Sequence, residues 1–247
     1  MKVTIVNSEH EFDVLFRSLN TADHIAYITG YTDGTVRPTQ YITRAEVVTI
    51  LYRLMTDLSR TINWSDENDF SDVSAESWYN IAVSTIANAG LVNGYTDGSF
   101  LPNQSITRAE FATIAARLLD SDYTGEDVED FSDTADHWAN VAIRRAVEAG
   151  WIEGYEDGSF RPDQFITRAE VITVINRMLN RVPETEDMLP DMKTWSDNVE
   201  GQWYYEAIQE ATNEHEYVRD SKTSESWTNL LDARDWSALE KEWADLA

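Results

Sequence analysis

Apolar side chains return at helical intervals through "SWYNIAVSTIANAG", where Trp78, Ile81, Ala82, Thr85, Ile86 and Ala89 share one face. The pattern predicts an amphipathic helix closed at Gly90, a residue free to take the left-handed conformation that ends helices. A related block, "FSDTADHWANVAIRRAVEAGWIEGY" from Phe131, predicts a second such helix opened by Trp138 and closed at Gly150. A third, "WSDNVEGQWYYEAIQEATNEHEY" from Trp195, places Trp203 where Trp78 stands in the first. Tryptophans at the head of an apolar face are expected in a core, with a ring face still able to stack on a sugar.

A second pattern alternates with the first. "GYTDGTVRPTQYITRAEVVTILYRLM" from Gly30 matches "GYTDGSFLPNQSITRAEFATIAARLL" from Gly94 and "GYEDGSFRPDQFITRAEVITVINRML" from Gly154. Agreement over so long a stretch marks an internal repeat. The Asp-Gly pairs predict turns, with Gly34, Gly98 and Gly158 supplying positive φ. These loops lack the alternating oxygen ligands of an EF-hand, so they read as structural turns rather than metal sites. Each unit is therefore helix, Asp-Gly turn, helix.

The copy from Gly30 has no front block, and the block from Trp195 has no back half. A back half, two whole units and a front half sum to three units, which predicts a ring closed by packing the two ends of the chain together. The boundaries follow: residues 1–23 an N-terminal extension, 24–60 the back half of unit one, 61–120 unit two, 121–182 unit three, 183–217 a linker and the front half of unit one, and 218–247 a C-terminal helical extension. Residues 1–20 predict a short strand, "KVTIV", and a short helix. In "SALEKEWADLA" Ser237 and Glu240 have capping-box spacing, and Leu239, Trp243 and Leu246 form a stripe that needs covering, by the ring or by a partner.

Within "ITRAE" nearly every letter has a local explanation. Thr43 can cap the helix while Glu46 returns a bond to the threonine amide, and Ile42 with Val47 can form a hydrophobic staple; the same holds for Ile106 with Phe111 and Ile166 with Val171. The arginines Arg44, Arg108 and Arg168 stand apart, because a cation in the first helical turn opposes the backbone dipole. Two readings are open. Local carboxylates can pair with them, or free helix amides and the guanidinium fork together can take an outside carboxylate or phosphate.

Charge and composition narrow the partners. With 45 acidic against 19 basic residues the formal net charge is −26, which disfavours nucleic acid and anionic bilayers alike. No apolar run approaches the roughly 20 residues that span a bilayer, and the start lacks the apolar segment of a secretory signal. Without cysteine there is no disulfide and no thiolate metal site. The histidines, His10, His24, His137 and His215, recur at no fixed position and form no metal-ligand spacing. No catalytic residues, cofactor or metal are predicted.

"FSDV…W", "GYxDGxFxPxxxITRAE" and the helix after it resemble the S-layer homology module over roughly residues 24–217. The resemblance implies an all-α, three-fold pseudo-symmetric repeat domain, a three-pronged spindle around a central helical bundle. It implies grooves that hold anionic, pyruvylated secondary cell wall polysaccharide, with Arg44, Arg108 and Arg168 on the sugar acid. Groove walls would draw on Gly34, Gly98, Gly158, Trp78, Trp138 and Trp203. The role implied is a non-catalytic anchor for a surface or S-layer protein at the extracellular bacterial cell wall. The alternative is an assembly module that keeps the scaffold without the glycan, self-associating or meeting a partner protein through the C-terminal extension.

Overall fold

The computed structural model describes residues 17–119, 122–221 and 224–246. Most of the strand and helix expected in residues 1–20, and the Leu246 side chain, lie outside that description. Eight α-helices and one two-stranded sheet form the regular structure among the described residues.

Three helices begin at the repeated arginines: α1 (Arg44–Leu54), α4 (Arg108–Ala116) and α6 (Arg168–Met178). Each carries a complete capping box, Thr43 with Glu46, Thr107 with Glu110 and Thr167 with Glu170. The staple residues Ile42, Val47, Ile106, Phe111, Ile166 and Val171 are all buried. A short helix, α2 (Asp57–Asn63), follows α1. The tryptophan-led blocks form α3 (Asn80–Asn88), α5 (Asn140–Glu148) and α7 (Tyr205–Thr212). Helix α1 packs on α3, α4 on α5 and α6 on α7.

The segments leading into α1, α4 and α6 meet at one place. Ile106 donates to the Ile42 carbonyl at 3.0 Å, Ile166 to Ile106 at 3.1 Å, and Ile42 to Ile166 at 3.3 Å, a closed cycle of backbone hydrogen bonds. Buried amides outside a helix must find acceptors, and here each unit finds them in another.

Each Asp-Gly loop is held by the block that packs against it. Arg37, Leu101 and Arg161 precede prolines and take φ of 54°, 55° and 57°, a conformation that non-glycine residues rarely adopt. In each case one carboxylate accepts that residue's amide and the preceding one: Asp72 at Phe100 and Leu101, Asp133 at Phe160 and Arg161, Asp197 at Val36 and Arg37. Gly94 and Gly154 lie so close to Phe70 and Phe131 that an added Cβ would stand 2.6 and 2.1 Å from the rings. At Gly30 the ring is Trp195, from the far end of the chain. The C-terminal block thus makes at the first loop the contacts that Phe70–Asp72 and Phe131–Asp133 make at the others.

The C-terminal extension departs from expectation. Strands β1 (His215–Ser221) and β2 (Ser224–Leu230) form an antiparallel hairpin before α8 (Trp236–Leu246), so residues 218–247 are not wholly helical. Alternation explains the hairpin: Glu225 and Trp227 are buried while their neighbours are more exposed. Helix α8 is capped by Asp235, which accepts the Ala238 amide at 3.1 Å; Ser237 lies inside the helix, and Glu240 instead pairs with Arg53 at 2.9 Å. Of the apolar stripe, Leu239 and Trp243 pack against the protein's own core. Trp236 donates to the Ala26 carbonyl, and Trp243 meets Tyr52 edge-on at 5.5 Å with the Arg60 guanidinium 3.5 Å from its ring centre.

Candidate functional site

Arg44, Arg108 and Arg168 are nearly buried, with 5–6% of their surface exposed. Each reaches from the first turn of its helix into the following unit. Arg44 donates to the Phe100 carbonyl at 2.8 Å and the Asn93 carbonyl at 3.2 Å, and pairs with Glu110 at 3.2 Å. Arg108 repeats this with Phe160, Glu153 and Glu170, the ion pair at 3.0 Å. Arg168 donates to the Val36 carbonyl and pairs with Glu46 at 2.9 Å. The partners are the capping-box glutamates, each holding a threonine amide with one oxygen and the neighbouring unit's arginine with the other. This cycle of ion pairs is what offsets the unfavourable dipole.

The free helix amides expected beside these cations are not free. In α1 the first two amides donate to the Gln104 and Pro102 carbonyls, each at 2.9 Å. Those of α4 donate to Gln164 and Pro162, and those of α6 to Gln40 and Pro38. Loops of a neighbouring unit occupy the positions an anion would need, a relation that helix periodicity within one unit does not reveal.

Clefts nevertheless open beside the arginines. One, of about 350 Å³, is lined by Tyr31, Glu46, Thr49, Arg53, Trp78 and Arg168. Another, of about 180 Å³, is lined by the matching residues Tyr95, Glu110, Thr113, Arg117, Trp138 and Arg44. Each draws its arginine, its tyrosine–glutamate wall and its tryptophan from three different units. The repeat places Tyr155, Glu170, Thr173, Arg177, Trp203 and Arg108 in the same order. Burial, together with a 2.5 Å bond to Glu110, pushes the Tyr95 phenol up to about 12, and burial also raises Tyr155.

The tryptophans are not core residues. Trp78, Trp138 and Trp203 are 65%, 66% and 63% exposed, because each lies in the turn before its helix rather than on the helical face. The turn glycines are not wall residues of these two clefts; Gly34, Gly98 and Gly158 have φ of 79°, 83° and 77° with open space at the Cβ position, and Gly30 and Gly94 line the clefts instead.

A second set of cations escaped the sequence reading. Arg53, Arg117 and Arg177 recur at one position of the repeat, a signal visible in the aligned copies. Arg53 pairs with Glu240 and Arg177 with Glu153, while Arg117 donates to the Leu91 carbonyl and has no carboxylate partner among the described residues. Burial lowers its pKa, with a further contribution from Arg17.

Fold and site together define a helical-repeat protein whose recurring clefts are built where units meet. A family profile, the S-layer homology domain, matches residues 26–48, 69–112 and 130–172. The chain belongs to the S-layer homology domain family. It is 33% identical over 229 residues to a cellulosome-anchoring protein of Acetivibrio thermocellus, covering 91% of this chain and 50% of that protein. It is 32% identical over 223 residues to cell surface glycoprotein 1 of the same organism, covering 85% of this chain and 9% of that one. S-layer protein EA1 of Bacillus anthracis is 30% identical over 154 residues, 60% of this chain and 16% of the relative. The chain spans at most half the length of these relatives. Among the described residues no helix is long and apolar enough to cross a membrane.

Proposed function

We propose that this chain is a non-catalytic anchoring module that binds an anionic, pyruvylated secondary cell wall polysaccharide outside the cell and tethers a surface or S-layer protein to it. Support for anchoring comes from the family and from relatives named for anchoring and for the S-layer. The observation that carries glycan binding is the exposed tryptophan that lines each described cleft together with a buried guanidinium. A sugar ring can stack on the indole while its acid group faces the arginines.

In this reading Arg44 and Arg117 have different tasks. Arg44 is already paired with Glu110, so its contribution is the donors left over from that pair and two carbonyls. Arg117 carries a charge that no carboxylate among the described residues neutralises, and it is the residue that makes the second cleft attractive to an anion. Elsewhere the body is strongly acidic, so binding is local and multivalent, gaining avidity from more than one cleft. The closed three-unit ring, with its first unit completed by residues 183–217, is part of the same reading.

Purified cell walls, intact or stripped of ketal-linked pyruvate, test it. The protein is expected to be retained by intact walls and lost from stripped ones, and the Arg117→Ala, Trp138→Ala double variant to be retained about tenfold less. Equal retention across all three conditions overturns glycan recognition at this cleft.

A further inference from the structure

Away from the clefts, three side chains that the sequence keeps far apart converge in a buried cluster. His24 comes from the arm before the first Asp-Gly loop, Glu210 from α7 and His215 from the start of β1. His24 Nδ1 stands 2.9 Å from Glu210 Oε1 and 3.0 Å from His215 Nε2, and His215 Nε2 stands 3.4 Å from Glu210 Oε2. We propose that these three side chains bind one divalent transition-metal ion of the zinc type, which fastens the N-terminal arm, the ring-closing helix and the hairpin together.

The geometry suits the ion. Nitrogen and oxygen donors about 2.0–2.2 Å from zinc stand roughly 3.3 Å from one another in a tetrahedron; the observed separations of 2.9, 3.0 and 3.4 Å lie near that value, His24 facing one oxygen of Glu210 and His215 the other. The ion would replace the proton shared between His24 Nδ1 and His215 Nε2, which lie 3.0 Å apart. His215 Nδ1 lies 2.9 Å from the Asn213 carbonyl, which can only accept, so that nitrogen carries the proton and Nε2 is free to coordinate. His24 Nε2 has no hydrogen-bond partner and faces the Glu225 carboxylate at 3.9 Å, the place of the outer carboxylate that orients a metal-bound histidine.

Glu210 is the second, independent observation. It is fully buried, and its carboxylate oxygens meet only the two imidazoles, the Trp227 side chain and the Arg181 guanidinium at 3.5 Å, with no well-aligned hydrogen bond to either oxygen among the described residues. A desolvated carboxylate left without donors is costly unless a cation meets it. The nearby arginines offset that charge only in part. Arg181 donates to the Ile25 and Asp23 carbonyls and approaches Glu210 only to 3.5 Å; Arg219 pairs with Glu225 at 2.7 Å. A cavity of about 530 Å³ touches His24 and His215 and can supply a water as fourth ligand. Two imidazoles with one carboxylate favour zinc-type ions over calcium or magnesium, which prefer oxygen.

The test is a Co²⁺ titration of the chelator-treated full chain in excess Mg²⁺, which saturates the surface carboxylates. One equivalent is expected to bring up the visible d–d absorption of a low-coordinate site, to be displaced by Zn²⁺. Zn²⁺ at about a hundred times its Kd is expected to raise Tm by roughly 5–10 °C. Glu210→Gln, which keeps the shape and removes the charge, should weaken binding roughly tenfold or more. Absence of the absorption in the parent protein overturns the proposal whether or not the variants fold. So does an undiminished signal in Glu210→Gln and His215→Ala.

Discussion

Replacing Arg108 with alanine tests the cycle of ion pairs on which the clefts are built. The guanidinium makes three contacts at 2.9–3.1 Å, to the Phe160 and Glu153 carbonyls and to Glu170. Removing one member of a buried pair typically costs about 3–5 kcal/mol, because its partner is left desolvated and unpaired. Here the loss falls below that range. Glu170 keeps a fifth of its side chain in solvent and retains the Thr167 amide and hydroxyl, both at 2.8 Å. About 2–3 kcal/mol is the resulting figure, which for a chain of this size lowers Tm by roughly 5–10 °C. Arg108→Lys should recover less than half, since an ammonium cannot reach all three acceptors at once. Thermal melts followed by far-UV circular dichroism, with Glu170→Gln and the double variant completing a cycle, measure the coupling. A melting point for Arg108→Ala within about 1 °C of the parent refutes the reasoning. A Tm loss of the predicted size has a functional consequence: weaker wall binding by this variant reports lost structure as well as a lost contact.

Other expectations follow from individual contacts. Trp138→Ala should leave Tm within about 2 °C, because the ring is mostly exposed, while weakening wall retention several-fold in a binding isotherm. Gly154→Ala places a Cβ 2.1 Å from Phe131 and should cost about 1–3 kcal/mol in urea denaturation, whereas at the turn-tip Gly158 the added Cβ meets no neighbour and the cost comes from the φ of 77°. Glu240→Gln should free Arg53 and strengthen wall binding modestly while changing stability by less than about 1 kcal/mol. In acid the loops should loosen. The Ser159 hydroxyl and then Arg161 hold Asp157 at about 2, and the Thr35 and Ser99 hydroxyls depress Asp33 and Asp97. Carboxyls with depressed folded values stabilise the fold above the ordinary value of 3.8 and lose that contribution as pH falls through the folded value. Asp157→Asn should therefore flatten the fall in urea midpoint between pH 3.8 and about 2.

What could be read from the residues was local or repeated. Capping boxes, staples and turn glycines involve partners a few positions apart, and backbone geometry alone brings them together, so Thr43 with Glu46 or Gly98 at its turn needed no knowledge of the fold. Repetition likewise pointed to a first unit divided between the two ends, and the aligned copies also carry Arg53, Arg117 and Arg177 at one position.

Contacts between units were decided in three dimensions. The sequence posed the arginine question but not its answer, because Glu110, Glu170 and Glu46 lie 66, 62 and 122 positions from their arginines. The same packing fills the helix amides with neighbouring carbonyls, turns Trp78, Trp138 and Trp203 outward from positions just ahead of their helices, and seats Trp243 on Tyr52. His24 and His215, 191 positions apart and without any recurring spacing, meet because α7, β1 and the segment before the first Asp-Gly loop pack into one buried space. Short-range bonding follows from covalent neighbours, whereas burial and charge pairing depend on which surfaces the whole chain presses together.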